Sequence, residues 1–413
     1  MNATDDQIAH QYDIATGELK TMCSRFAELD FGMSGRHNAV FGPNDLLHVL
    51  TKMGLDNLSV KGAVAALNQE AAVTGSGDDM RGTARVPTAD FVLSVLRRVD
   101  PDRAAVWAEM MIRYSVRRAR RCGMLQGVDT YAIDITDIEY YGKGLDDYTR
   151  RGYPRNGTAT FLSNITFHGI GGTANIVLAS KPFPGESKLA DFVTGLLAAV
   201  SRTGVPVRHL LLDRGFFSVD CMLAAARMGR TYIMPAVKNS RIRDLIIEYH
   251  EGRRTQVSEY TMVNKEGRSV TFTLLIVKKS KKGGGKKGGK KGGKKDDDDD
   301  VTSQYVVFAT NRRIRSVRAT IDSIPEEYRT GWEIETGFRV IKGAMGWTCS
   351  NSPTVRLLLF YLPLLMYNMW RITRFVDKGV DWGGWAGGDL FTMNLFMGCV
   401  VDITGSFVTD RGK

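Results

Sequence analysis

Through the first 120 residues, hydrophobic positions recur at helical spacing. They fall at Leu46, Leu47, Val49 and Leu50, then Val60 to Leu67, Phe91 to Leu96 and Ala104 to Tyr114, with Gly, Pro and Asp between the runs. This pattern predicts a helical N-terminal domain over residues 1–120. Within it, Asp45 to Leu67 has the length of two short helices around Gly54-Leu55-Asp56-Asn57, readable as an ordinary helical hairpin or as a helix-turn-helix. At Gly127 the period changes. Val128 to Ile135, Ala159 to His168 and Asn175 to Ala179 read as strands, Glu186 to Ser201 as a helix, Val205 to Asp213 as a strand, Cys221 to Met228 as a helix and Thr231 to Ala236 as a strand. That order predicts an α/β fold, a mixed sheet flanked by helices, with residues 127–240 as its first part and 321–375 as its second. Between them, Gln256 to Val263, a turn at Asn264 to Gly267, Ser269 to Val277 and Gln304 to Thr310 predict a β-rich insertion over 241–320. Met345 to Trp370 reads as a helical, strongly apolar region that packs under the sheet, with Leu357 to Met369 as a buried core helix. The tail, 376–413, is Gly- and Trp-rich from Asp377 to Asp389 and apolar from Leu390 to Val408, which suits packing or self-association.

Tyr328 to Lys342 reads as one helix, started by a capping pattern at Ser323-Ile324-Pro325-Glu326 and stopped by Gly343. At about 100° per residue, Ile334, Phe338, Ile341 and Met345 share a core-facing seam, and Tyr328, Gly331, Glu335 and Lys342 form a second stripe beside it. Glu335 therefore stands at the edge of the buried face, whereas Glu333 lies on the opposite flank. Two more acids occupy comparable edges. Asp134 interrupts an apolar strand, which is unfavourable unless its carboxylate has a partner or a metal. Asp213 ends the run Leu210-Leu211-Leu212 and is also placed to cap the next helix. Asp129 and Asp137 compete with Asp134 but stand at the strand's ends, where solvent satisfies a charge. His168, at the end of an apolar strand, is expected to be a satisfied core histidine.

Composition narrows the function classes. The net charge is +11, and Lys278 to Asp300, with ten Lys and five Asp, supplies +5 of it, leaving +6 for the remainder. A basic body favours a polyanionic partner, most simply nucleic acid. Five Arg between Arg113 and Arg121 suit phosphate contact or a solvated helix end. The tract itself is low in complexity, builds no core and is expected to be a disordered loop. Cys23, Cys122, Cys221, Cys349 and Cys399 are odd in number and lack any C-x-x-C spacing, so neither a disulfide framework nor a zinc site is indicated, and a reducing cytoplasm fits. The longest apolar run is interrupted by Pro363 and too short for a membrane span, and no phosphate-binding Gly loop signals a nucleotide cofactor.

Tyr328, two residues, position 331, three residues, Glu335, six residues and Lys342 resemble the signature of the IS4-like DDE transposases, with Gly331 where that family has Arg. Ala132 to Gly142 and Leu211 to Phe216 resemble the blocks around its first two catalytic Asp, particularly in ISH3-like members of archaea and bacteria. The resemblance implies an RNase H-like catalytic core with a β-rich insertion that helps hold the DNA end. It implies that Asp134, Asp213 and Glu335 bind Mg²⁺ or Mn²⁺ as a pair of ions, an all-oxygen donor set suiting such hard cations. It further implies that Lys342 binds a phosphate; Tyr328, earlier in the same stripe, is placed to stack on or bond the DNA backbone, and Arg339, one turn after Glu335, is placed geometrically to compensate for the missing Arg, whereas Arg329 points elsewhere. The expected activity is cleavage of insertion-sequence ends and joining of the 3′-OH to target DNA by two-metal-ion phosphoryl transfer. Expected partners are terminal inverted repeats, target DNA and a second copy of the chain, in a prokaryotic cytoplasm without membrane attachment. Two alternatives stand beside it: a metal-dependent nuclease without strand transfer, and a transposase-derived DNA-binding protein with a decayed site, which Gly331 favours.

Overall fold

A computed structural model of the protein describes residues 3–29, 31–33, 40–74, 86–142, 148–171, 174–185, 187–279, 301–377 and 392–409. Most of the Lys/Gly/Asp tract and of the Gly/Trp-rich segment lies outside the described residues. Five N-terminal helices come first: α1 (Ala3–Phe26), α2 (Pro43–Leu55), α3 (Val60–Thr74), α4 (Ala89–Leu96) and α5 (Pro101–Arg121). Their starts follow the local sequence. Asp100 accepts the Arg103 N–H ahead of Pro101 at the first turn of α5, and Thr88 accepts the Phe91 N–H at α4. Helices α2 and α3 form a hairpin, and α2 is buried along most of its length.

The sheet comprises β1 (Thr130–Glu139), β2 (Thr149–Arg155), β3 (Thr158–Gly169), β4 (Val177–Pro182), β5 (His209–Leu212), β6 (Thr231–Pro235), β7 (Val257–Val263), β8 (Ser269–Lys278) and β9 (Tyr305–Thr310). Its order is β2-β3-β1-β5-β6-β9-β8-β7, with β4 also on β3. β1 is antiparallel to β3 and parallel to β5, which is parallel to β6. The path β4-β3-β1-β5-β6 is an RNase H-like sheet. Helices α6 (Leu189–Ser201), α7 (Val219–Arg227) and α8 (Ser240–His250) connect its strands. The strands of the central segment do not stand apart from it: β9 pairs antiparallel with β6, β8 with β9 and β7 with β8.

β2 carries no apolar alternation. Its sequence, TRRGYPR, pairs with the outer edge of β3 and is largely exposed. Edge strands tolerate Arg and Pro because one side of the ladder faces water, so hydrophobic pattern misses them.

After β9 come α9 (Val317–Thr330), α10 (Glu333–Gly343), α11 (Pro353–Asp377) and α12 (Met393–Thr409). α11 is buried nearly all round from Thr354 to Trp370, as its apolar run requires. Its one amide, Asn368, accepts the Val177 N–H at 2.8 Å and donates to the Val177 carbonyl and the Ser115 hydroxyl, tying α11 to β4 and α5. α12 packs back on α1 and α2, and His48 Nδ1 meets Thr404 Oγ1 at 2.9 Å, so the described part of the tail is committed to packing. Among the described residues no helix is long and apolar enough to cross a membrane.

Candidate active site

The register of β1 on β5 places Ile133 beside Leu212, so the next residues, Asp134 and Asp213, leave two parallel neighbours at one level. From the other side come the end of α9 and the start of α10. Asp134, Asp213, Glu335, Tyr328, Gly331 and Trp332 line one cleft of about 150 Å³. Asp134 is half-buried at its floor, and Asp213 and Glu335 are exposed at its mouth.

The structural roles open to these acids are unused. Asp213 precedes the 3₁₀ turn Arg214–Phe216 yet makes no side-chain cap bond. Asp134 accepts the N–H of its neighbour Ile135 at 2.7 Å. None of the three has an ion-pair partner among the described residues. Asp137, by contrast, is held by Arg150 at 2.9 Å, Arg155 at 3.3 Å and Ser163 at 2.5 Å. Asp129 stands 3.8 Å from His209. Glu333 is also structural: its carboxylate accepts the Gly171 N–H at 2.9 Å, fastening α10 to the loop after β3.

Burial, then the charges of Asp213 and Glu335, push the Asp134 carboxyl from 3.8 up to about 7. The sign follows directly. Between about pH 4 and 7 the folded chain holds a proton that the unfolded chain releases, so Asp134 erodes stability as pH rises through that window. In chelator, Asp134→Asn is expected to melt with wild type near pH 4 and above it at pH 7.5; a difference that does not grow with pH counts against this arrangement. The Tyr328 hydroxyl is likewise raised, by burial and by Asp213 and Asp134, and so stays a protonated donor.

The single helix expected over Tyr328 to Lys342 is two. α9 begins at Val317 with Ser316 accepting the Ala319 N–H, so the capping pattern at Ser323 is interior and Pro325 sits within the helix. Around Gly331 the bonding tightens to i→i−3: Gly331 to Tyr328, Trp332 to Arg329, Ile334 to Gly331 and Glu335 to Trp332, at 3.0 to 3.2 Å. A Cβ on Gly331 would meet the Tyr328 carbonyl at 3.0 Å and Leu211 Cδ1 at 3.3 Å. Glycine is what this close approach to β5 admits. Gly331→Arg is therefore expected to destabilise the chain by about 1–3 kcal/mol in urea unfolding, and unchanged stability would contradict it.

The remaining expected residues separate. Lys342 donates to the Asp137 carbonyl at 2.9 Å and lines a neighbouring cleft of about 490 Å³ with Trp347, Tyr141 and Arg356. Arg339 is exposed and lines neither cleft. His168 is fully buried against Phe338, with ring centroids 5.1 Å apart, but neither ring nitrogen has a hydrogen-bond partner. It is not the satisfied histidine expected from its strand, and burial holds it neutral, down to about 3. Two residues escaped the pattern: Trp332, 62% exposed on the cleft's wall, and Arg214, which does not line the cleft but is exposed directly after Asp213 with its charge felt by Tyr328. The Asp-Arg-Gly run after a strand was the available signal for Arg214. Trp332 had none.

As to a metal, the carboxylate oxygens are the donors that hard divalent cations take. Among the described residues no three His, Cys, Asp or Glu side chains stand close enough to grip one ion, so the acids line the cleft rather than meet within it. The donor set fits in kind, and its uncompensated charge is what a cation offsets.

A scan of family models matches residues 127–369 to the Transposase DDE domain, a family that uses divalent metal ions. The match spans all three acids. Among solved structures, the cryo-EM structure of a piggyBac transposase synaptic complex with hairpin DNA aligns with a TM-score of 0.53 at 12% identity, covering 94% of this chain and 78% of that one. This shows a shared fold. No curated protein gives a significant match. With more than half of its length matched, the chain belongs to the Transposase DDE domain family of DNA-transposing enzymes.

Proposed function

We propose that the chain cleaves the ends of an insertion sequence and joins the freed 3′-OH to target DNA, as an IS4-like, ISH3-like member of its family acting in a prokaryotic cytoplasm. The observation that carries the reading is the cleft itself: three carboxylates from three separate elements, unpaired, within the segment matched to the family. Asp134, Asp213 and Glu335 would hold the ions, Mg²⁺ or Mn²⁺. A bound pair supplies activation of the attacking oxygen and neutralisation of charge on the phosphate and leaving oxygen.

The chain's own groups do the positioning. Tyr328, kept protonated by burial and its acidic neighbours, donates to a non-bridging phosphate oxygen. Arg214, exposed directly after Asp213, takes the role expected of an arginine at position 331, and its planar fork suits a phosphate. Trp332 offers an exposed face on which a base of the DNA end stacks. Lys342, on the adjoining cleft, binds the next phosphate as a point charge, with Arg339 on the outer face of α10. Gly331 fits the close packing of α9 on β5, which supports reading it as a packing requirement rather than as decay. Two copies of the chain would pair the two ends.

The test is incubation of the chain with a labelled duplex carrying its element's end, a target plasmid and Mg²⁺ or Mn²⁺. Joined product supports transposition. Cleavage without joining identifies a nuclease, and end binding without cleavage identifies a DNA-binding protein derived from a transposase.

A further inference from the structure

The last turns of α5 carry arginines for which the catalytic cleft has no use. Arg113, Arg117, Arg120 and Arg121 stand at i, i+4, i+7 and i+8 and so share one face. Arg117, Arg120 and Arg121 join Arg202, Thr203 and Gly204, just beyond α6, around a second cleft of about 520 Å³. Arg120 is fixed there: its Nη1 donates to the Thr203 carbonyl at 3.1 Å, and its guanidinium lies over Gly204, whose φ of +74° favours glycine. Glu109 faces Arg113 and Arg202 at 3.6 Å and Lys181 at 4.0 Å. Arg117 and Arg121 are exposed and have no ion-pair partner among the described residues.

Helix ends do not account for this charge. The C-termini of α5 and α6 each contribute roughly half a negative charge. With Glu109, that offsets about two of the six positive charges gathered here, and four remain.

The place is as telling as the charge. Arg121 precedes β1 and Gly204 precedes β5, whereas Asp213 follows β5's far end. From His209 to Asp213 is four strand residues, roughly 13 Å. A duplex presenting its scissile phosphate to the acids lies at that far end, and the arginine cleft lies by the residues that lead into the near ends of β1 and β5. We propose that this arginine cleft binds the phosphate backbone of a second duplex-DNA segment, one the catalytic cleft does not cut at that moment. Guanidinium groups spaced along one helix face pair with successive phosphates without reading bases. The inference rests on the proposed function and adds a second DNA site to it.

The experiment is fluorescence anisotropy of the full chain with a labelled 30-base-pair duplex of arbitrary sequence, across a series of NaCl concentrations. Arg117→Gln with Arg121→Gln is compared with Arg97→Gln with Arg98→Gln, which removes equal charge elsewhere, and circular dichroism checks that both fold. Each lost phosphate contact lowers the slope of log affinity against log salt by about 0.9. The first variant is expected to lower it by about 2 and the second to leave it near wild type. An unchanged slope in the first, or an equal fall in both, overturns the inference. A wild type that binds no duplex sinks the proposed function as well.

Discussion

Asp213→Asn is expected to reduce cleavage of an end-bearing duplex by at least about 10³-fold while leaving duplex binding intact. The substitution keeps shape and removes one of the three negative charges that the proposed chemistry needs. Losses of that order accompany removal of a single preorganised electrostatic group, and groups that act as a unit lose little more when a second is removed. Asp213→Asn combined with Glu335→Gln should therefore fall scarcely further than either alone. Binding survives because the cationic groups proposed to hold the DNA, Arg214 beside Asp213 and Lys342 on the adjoining cleft, are untouched. The measurement is single-turnover cleavage with saturating enzyme. A variant retaining a tenth of wild-type activity would remove Asp213 from the chemistry.

The second large effect is on stability. Phe338 is 6% exposed, stacks edge-on against His168, and lies one turn beyond Glu335 on the face of α10 that meets the core. Phe338→Ala leaves a cavity and is expected to cost about 3–5 kcal/mol, read as a lowered urea midpoint. Water entering that cavity would reach the unpartnered nitrogens of His168 and draw the loss toward the lower end. Phe338→Leu should cost distinctly less, since most of the volume stays. If Phe338→Ala shifts unfolding by less than about 1 kcal/mol, α10 is not held to the sheet as described.

The acids were legible because each violates a local rule: Asp134 places a charge inside an apolar strand, Asp213 ends a run of three Leu, and Glu335 borders a hydrophobic seam. Ile334, Phe338 and Ile341 are buried as that seam requires. What the pattern could not convey is three-dimensional. A helical wheel assumes a constant 100° and ignores distance along the axis: the i→i−3 bonds around Gly331 break the first between Tyr328 and Glu335, which still share one cleft, and Lys342, seven residues or roughly 10 Å beyond Glu335 on α10, reaches another. β2 was hidden by Arg and Pro that only an edge strand accepts. The pairing of β9 with β6, which draws the central strands into the sheet, is a long-range choice that no local period encodes. His168 looked like an ordinary strand residue, and its unpartnered nitrogens become visible only once α10 is packed over it.

The central claim is that Asp134, Asp213 and Glu335, which line one cleft, together provide the oxygen donors for divalent ions, and Mn²⁺ binding tests it without relying on activity. Titrating the full chain with Mn²⁺ and following the free-ion electron paramagnetic resonance signal gives the affinity directly. Wild type is expected to bind, with Asp134→Asn and Glu335→Gln each weakening binding by at least roughly tenfold. Equal affinity in wild type and both variants would contradict the account.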